Sequence, residues 1–165
     1  MTKFKIFELP VGGGTLAFSA MPGSSGDYAA DLQKILKWRP ALVISMTTET
    51  ENTNAGIGQI ARDLKDCMWV NFPVPDYGIP IGAADREWCG LGESARRHLH
   101  QGARVLVHCK GGCGRSGMIV LRLMIESGEA LGPALSRLRV IRPCAVETEA
   151  QLTWAGQGRL RGGLA

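Results

Sequence analysis

The tightest constraint on the fold is the segment RVLVHCKGGCGRSGM, Arg104 to Met118. An apolar run of strand length passes without a spacer into Lys110–Gly117, where four of eight residues are glycine. A short apolar run bounded by turn residues reads as a buried strand. Glycine at this density permits a curl with positive φ and close backbone approach, which other residues resist. Helical spacing resumes near Arg115. A strand that hands over to a helix through a Gly-rich loop is the working unit of open α/β sheets, whose ligands bind beyond the carboxyl ends of the strands.

The rest of the chain supports that class. FKIFEL and TLAFSA flank a glycine-rich turn and predict a hairpin within residues 3–19. DYAADLQKILKW begins with a capping Asp27, places Leu32, Ile35 and Leu36 on one face, and stops before Pro40, as a helix does. ALVISM and MWVNFPV read as strands. Between them the polar TTETENTN leads into a helix from Ile57 to Asp66, and its TTETE run, Thr47 to Glu51, reads as a solvated loop. After the loop PDYGIPIG, the spacing of Trp88, Leu91, Ala95 and Leu99 predicts a helix from Asp85 to Gln101, closed by Gly102. Three further helices are expected near 115–127, 129–141 and 147–161. Strands alternating with helices imply one α/β domain over residues 1–165, with a central, mostly parallel sheet and helices on both faces.

Composition is that of an ordinary globular chain, 45% hydrophobic and 21% charged. The net charge of +4 is scattered, with no Lys/Arg run interleaved with aromatics, so nucleic acid is not an expected partner. Glu8, Pro10 and the glycines 12–14 interrupt any secretory apolar region near the start, and no run approaches membrane-spanning length. A cytoplasmic protein, acting as a monomer, is expected. Five cysteines form neither a disulfide framework nor a CxxC metal pair. Cys67, Cys89 and Cys144 are expected to be buried as small hydrophobes.

Chemistry concentrates at Cys109. The loop after it can turn successive N–H groups inward as an anion nest at a helix N-terminus. Arg115 then closes over the anion with a planar fork suited to phosphate. A thiol in that field is expected to be ionised at neutral pH and nucleophilic. Lys110, Gly111, Gly112, Cys113, Gly114 and Arg115 are the expected phosphate-binding residues.

HCKGGCGRS, residues 108–116, matches the His-Cys-x5-Arg-Ser signature of the protein tyrosine phosphatase superfamily. The order of elements resembles the compact dual-specificity phosphatases, close to the kinase-associated phosphatases and their bacterial relatives, over nearly the whole chain. The resemblance implies the cysteine-based phosphatase fold and an enzyme that uses no metal and no cofactor. It implies that Cys109 attacks phosphorus to form a cysteinyl-phosphate and that His108 orients the thiolate through the loop backbone. Ser116 would support the thiolate as it leaves. Asp76, thirty-three residues before the cysteine and four before Pro80, stands where relatives carry their general acid. Asp85 and Glu87 are the rival carboxylates and read as the first turn of a helix. RPCAVETEAQ, residues 142–151, resembles the segment supplying a water-positioning glutamine, here Gln151.

The implied substrate is a phosphoprotein or a small phosphorylated molecule, with phosphotyrosine first. Phosphoinositide phosphatases of the superfamily often carry a lysine where Lys110 stands, and a second basic residue where this chain has Cys113. The missing second base argues against an inositol lipid. The lysine- and tyrosine-bearing recognition loop of tyrosine-specific enzymes is not recognisable in residues 1–60, which leaves pocket depth open. A phosphate-reading module without turnover and a rhodanese-like sulfur transferase are the competing classes. Cys113 reads in two ways: as filler for a half-buried slot, or as a thiol able to capture an oxidised Cys109 in a disulfide.

Overall fold

The computed structural model of the chain describes residues 3–158. Strands β1 (Phe7–Val11) and β2 (Gly14–Ser19) form the hairpin; Gly12 and Gly13, at φ +60° and +96°, make its two-residue turn. Helix α1 (Tyr28–Trp38) starts where the Asp27 carboxylate accepts the Ala30 N–H at 2.9 Å, and it ends at Arg39 in the left-handed region just before Pro40. Strand β3 (Leu42–Ser45), helices α2 (Glu49–Asn54) and α3 (Ile60–Asp63) and strand β4 (Met68–Asn71) follow. Helix α4 (Ala83–His100), strand β5 (Arg104–His108) and helices α5 (Gly114–Glu126), α6 (Leu131–Ile141) and α7 (Glu149–Gly156) complete the described chain.

The five strands lie in the order β1-β2-β5-β3-β4, with β1 alone antiparallel to its neighbour. β5 is the middle strand, flanked by two parallel partners, so Ser19 and Ser45 both stand in register with His108. Its apolar run splits between two cores because neighbouring side chains point to opposite faces. Val105 and Val107 join Leu16, Phe18, Leu42 and Ile44 under the face covered by Trp88, Leu99 and α5. Leu106 joins Ala17 and Val43 under Ile35, Ile60 and Leu64 of the α1 side. A strand covered on both faces reads as a continuous apolar run rather than an alternating one. That continuity is why β5 is still buried at its carboxyl end.

Helix α5 is buried on nearly every side, packing against β2, β5, α4, α6 and α7. The buried Glu126 carboxylate ties it to α4: it accepts the Trp88 indole N–H at 3.1 Å and pairs with Arg122 and Arg96. Such a charge is tolerable inside because two arginines offset it, although only Oε1 is hydrogen-bonded. The helix carrying the Gly-rich loop is therefore a fixed post.

Three expectations need correction. The polar stretch after β3 is a helix, α2, not a loop, because Thr48 and Glu51 form a reciprocal capping box. The helix expected over 57–66 is only the single turn α3, since Leu64 already departs from helical backbone. Helix α7 ends at Gly156; of the longer span expected, residues 159–161 lie outside the described residues.

Candidate active site

Cys109 follows β5 at the carboxyl edge of the sheet and is 2% exposed. Its Sγ accepts the Gly112 N–H at 3.2 Å and lies 3.2 Å from Ser116 Oγ. For Gly112 to aim that amide inward the backbone takes φ +69°, and a Cβ there would sit 2.5 Å from the Ala20 nitrogen. Both facts demand glycine. Gly114 is confined for a different reason: a Cβ there would lie 3.0 Å from Gln151 Oε1 and from Glu147 Cδ, side-chain atoms that would have to shift. A Cβ at Gly111 would meet only open space, and Lys110 is exposed with its carbonyl accepting from the Met21 N–H.

His108 is fully buried, and burial pushes its pKa down to about 4, so the ring is neutral near pH 7. The Trp69 indole N–H reaches Ser45 Oγ at 2.8 Å, and Ser45 Oγ lies 2.5 Å from His108 Nε2. Ser45 Oγ therefore bridges the indole and the imidazole, while His108 Nδ1 is buried without a hydrogen-bond partner.

Arg115, in the first turn of α5, is 2% exposed and ties together α2 and the loop after β4. Nη1 and Nη2 donate to the two Glu51 carboxylate oxygens at 2.8 and 2.7 Å, and Nη1 also reaches the Val74 carbonyl at 2.9 Å. Nη2 lies 3.2 Å from Asp76 Oδ1, while Nε is buried without a hydrogen-bond partner. Glu51 thus occupies the end of the fork. Nη2 is shared between Glu51 and Asp76, which leaves Nε as the unpartnered nitrogen of the guanidinium.

Asp76 is half exposed on the loop after β4, where its own carboxylate accepts the Tyr77 N–H at 3.1 Å. Its rival Asp85 instead accepts the Trp154 indole N–H at 2.8 Å, a packing tie between α4 and α7; Glu87 is exposed on α4. Gln151 is buried, not solvated. Oε1 accepts the N–H groups of Glu147 and Thr148, and Nε2 donates to the Gly78 carbonyl at 3.2 Å. It thereby joins the Asp76 loop to the start of α7, beside Gly114.

The structure brings Cys109, Gly112, Ser116, Arg115, Asp76 and Gln151 together at one edge, with His108 beneath them. It adds residues that sequence reading missed. Glu51 was legible in principle, since Thr48-x-x-Glu51 is a capping-box pattern. Ser45 and Arg142 carry no local signal. Arg142 donates from Nε and Nη2 to the carbonyls of Gly112 and Gly111, at 3.2 and 3.1 Å.

The cysteine expectations also change. Cys113 is bonded to Cys144, with Cα atoms 5.3 Å apart. Cys144 is therefore exposed and bridged rather than a buried hydrophobe, and Cys113 is neither slot filler nor a thiol held for Cys109. The cause is tertiary: residues 142–146 run along the outer side of the curled loop and bring two distant Cα atoms within bonding range. Cys67 and Cys89 are half-buried.

One consequence of the Glu51 contact is testable. Arg115 holds the Glu51 carboxyl down at about 2, so the pair persists through neutral and mildly acidic pH. A depressed carboxyl adds stability that is complete above its ordinary value and lost as pH falls toward about 2. Glu51→Gln is expected to flatten that acid limb in melting curves. It should also lower phosphate-ester kcat/KM by about 10- to 100-fold, because the fork loses its template. Unchanged kcat/KM would make Glu51 a stability residue only.

Residues 31–159 match the protein-tyrosine phosphatase family. Tyrosine-protein phosphatase non-receptor type 18 of Homo sapiens is 34% identical over 87 residues, covering 47% of this chain and 18% of that protein. Protein tyrosine phosphatase type IVA 3 of Mus musculus is 33% identical over 85 residues, covering 52% of this chain and 48% of that protein. The chain spans less than half the length of these curated relatives. Among solved structures, kinase associated phosphatase with its catalytic-site cysteine changed to serine superposes with a TM-score of 0.81 at 20% identity, covering 94% of this chain and 93% of that one. Tk-PTP in its active form gives 0.70 at 26% identity, covering 88% and 92%. The matched span contains Glu51, Asp76, Cys109, Arg115, Arg142 and Gln151, and by that match the chain belongs to the protein-tyrosine phosphatase family.

Proposed function

We propose that the chain is a cysteine-dependent phosphomonoesterase, needing no metal, that hydrolyses phosphotyrosine in proteins and accepts phosphoserine or phosphothreonine as well. The observation that carries this reading is the surround of Cys109 Sγ: a loop amide, the Ser116 hydroxyl and, over the same loop, a buried Arg115 with an unpartnered Nε. Inward amides and the guanidinium edge bind the phosphoryl oxygens and hold phosphorus in line with Sγ. Attack expels the phenolate or alkoxide, which takes a proton from Asp76. A cysteinyl-phosphate remains. Water, positioned by the remaining Gln151 amide proton and deprotonated by Asp76, then attacks phosphorus and releases the thiolate to the Ser116 hydroxyl.

Exposed Tyr77 and Ile81, on the same loop as Asp76, offer apolar surface to an aromatic ring or a peptide. They favour a phosphotyrosyl protein over a small phosphate. Among the described residues no helix is long and apolar enough to cross a membrane. We place the protein in the cytoplasm, acting as a monomer without nucleic acid.

Hydrolysis of p-nitrophenyl phosphate in EDTA, lost in Cys109→Ser, tests the chemistry, and a phosphotyrosyl peptide tests the substrate class. Phosphate binding without turnover would make the chain a binding module. Turnover of small esters alone would make it a phosphatase for a non-protein phosphate.

A further inference from the structure

We propose that Cys144 and Arg142 are positioning residues for the phosphate loop, and that the Cys113–Cys144 disulfide sets the loop's working curl; this rests on the phosphatase reading of the same site. Gly111 and Gly112 are adjacent, a Cβ at Gly111 would meet only open space, and two glycines in succession impose little conformation of their own. The Gly112 amide must point at Cys109 Sγ for the nest to form. The form that binds phosphate therefore has to be held from outside.

Residues 142–146 hold it at three consecutive positions. Arg142 Nη2 takes the Gly111 carbonyl and Nε the Gly112 carbonyl. Cys144 takes the Cys113 side chain through sulfur, and the Val146 N–H lies 3.4 Å from the Cys113 carbonyl. Carbonyls fixed outward leave the amides facing in. The guanidinium of Arg142 is itself anchored, 4.7 Å over the ring of Phe7 on β1. Of these ties only the disulfide can be opened chemically without changing the sequence. A dithiol reductant donates two electrons and two protons: the Cys113–Cys144 bond breaks, two thiols form, and the reductant closes to its own disulfide. Cys109, a free thiol, is untouched by this step. The loop then keeps Arg142 but loses its covalent anchor, and the nest spends less time formed. Disulfides of intracellular proteins are commonly transient and redox-responsive, which fits this use.

The test compares oxidised and dithiothreitol-reduced protein, with the bridge assigned by alkylation and peptide mass. Reduction is expected to raise KM for p-nitrophenyl phosphate and the Kd for inorganic phosphate by about tenfold, reversibly on reoxidation. Cys113→Ser and Cys144→Ser should each show the reduced values and no response to reductant. Arg142→Ala should weaken phosphate binding in both redox states, and Arg142→Lys should recover part of it. A bridge that merely stabilises the fold would lower Tm and leave phosphate Kd unchanged; that result overturns the proposal. Absence of hydrolysis in both states would count against the phosphatase reading instead, while calorimetric phosphate Kd still decides this one.

Discussion

Cys109→Ser is expected to remove turnover, a loss on the order of 10⁵- to 10⁶-fold, the scale seen when an enzyme loses its nucleophile, while phosphate binding survives. Serine keeps the buried position and an acceptor for the Gly112 amide. Its hydroxyl is a poor nucleophile without an adjacent base, and His108 cannot serve. That ring lies beneath the loop with Nε2 committed to Ser45. Arg115→Ala should give a comparable loss of turnover with the opposite binding result. It deletes the guanidinium edge proposed to receive the anion, and it also leaves Glu51 and the Val74 carbonyl without their donor. Arg115→Lys restores charge but not geometry, since one ammonium cannot serve Glu51, Val74 and phosphate together. Calorimetric titration with inorganic phosphate separates the two classes. Equal affinity in wild type and Arg115→Ala would remove Arg115 from the anion site.

That contrast shows which parts of the site were legible in the sequence. β5 and the loop after it were readable because one continuous segment specifies them: apolar run, cysteine, glycines, arginine. The hairpin turn at Gly12–Gly13 and the Asp27 cap were readable for the same reason, as local chemistry with fixed offsets. α2 was misread because polarity was weighed before capping, though Thr48 and Glu51 carried the signal. Ser45 could not be found, since its role comes from register with His108 across two parallel strands. Arg142 and Cys144 were equally hidden. Their partners lie about thirty residues away, and the approach is created by packing of the 142–146 segment on the loop. Gln151 was seen as a residue but not as a buried strap, because burial of an amide at a helix start depends on what is packed against it.

Asp76→Ala is expected to slow hydrolysis of phosphotyrosine by about 10²- to 10⁴-fold, the usual worth of a general acid. An aryl ester whose phenol ionises easily should be nearly indifferent. The difference follows from charge: a phenolate that is stable in water leaves without a proton, whereas the tyrosyl oxygen does not. The geometry suits the task. Asp76 is half exposed on a loop turned by Pro75 and Gly78, and its contact with Arg115 Nη2 lies on the edge where phosphate would compete for the same nitrogen. Binding of substrate would therefore free the carboxyl as it brings the leaving oxygen close. Removing it costs the fold little, because its other bond is to the exposed amide of Tyr77. Asp85→Asn is the matched control. It weakens a tie to Trp154 and should shift stability by about 1 kcal/mol, with no preference between leaving groups. Rates measured across a series of aryl phosphates give the slope against leaving-group pKa, which should steepen in Asp76→Ala alone. An equal loss for every ester would make Asp76 a turn residue and place the acid on another side chain.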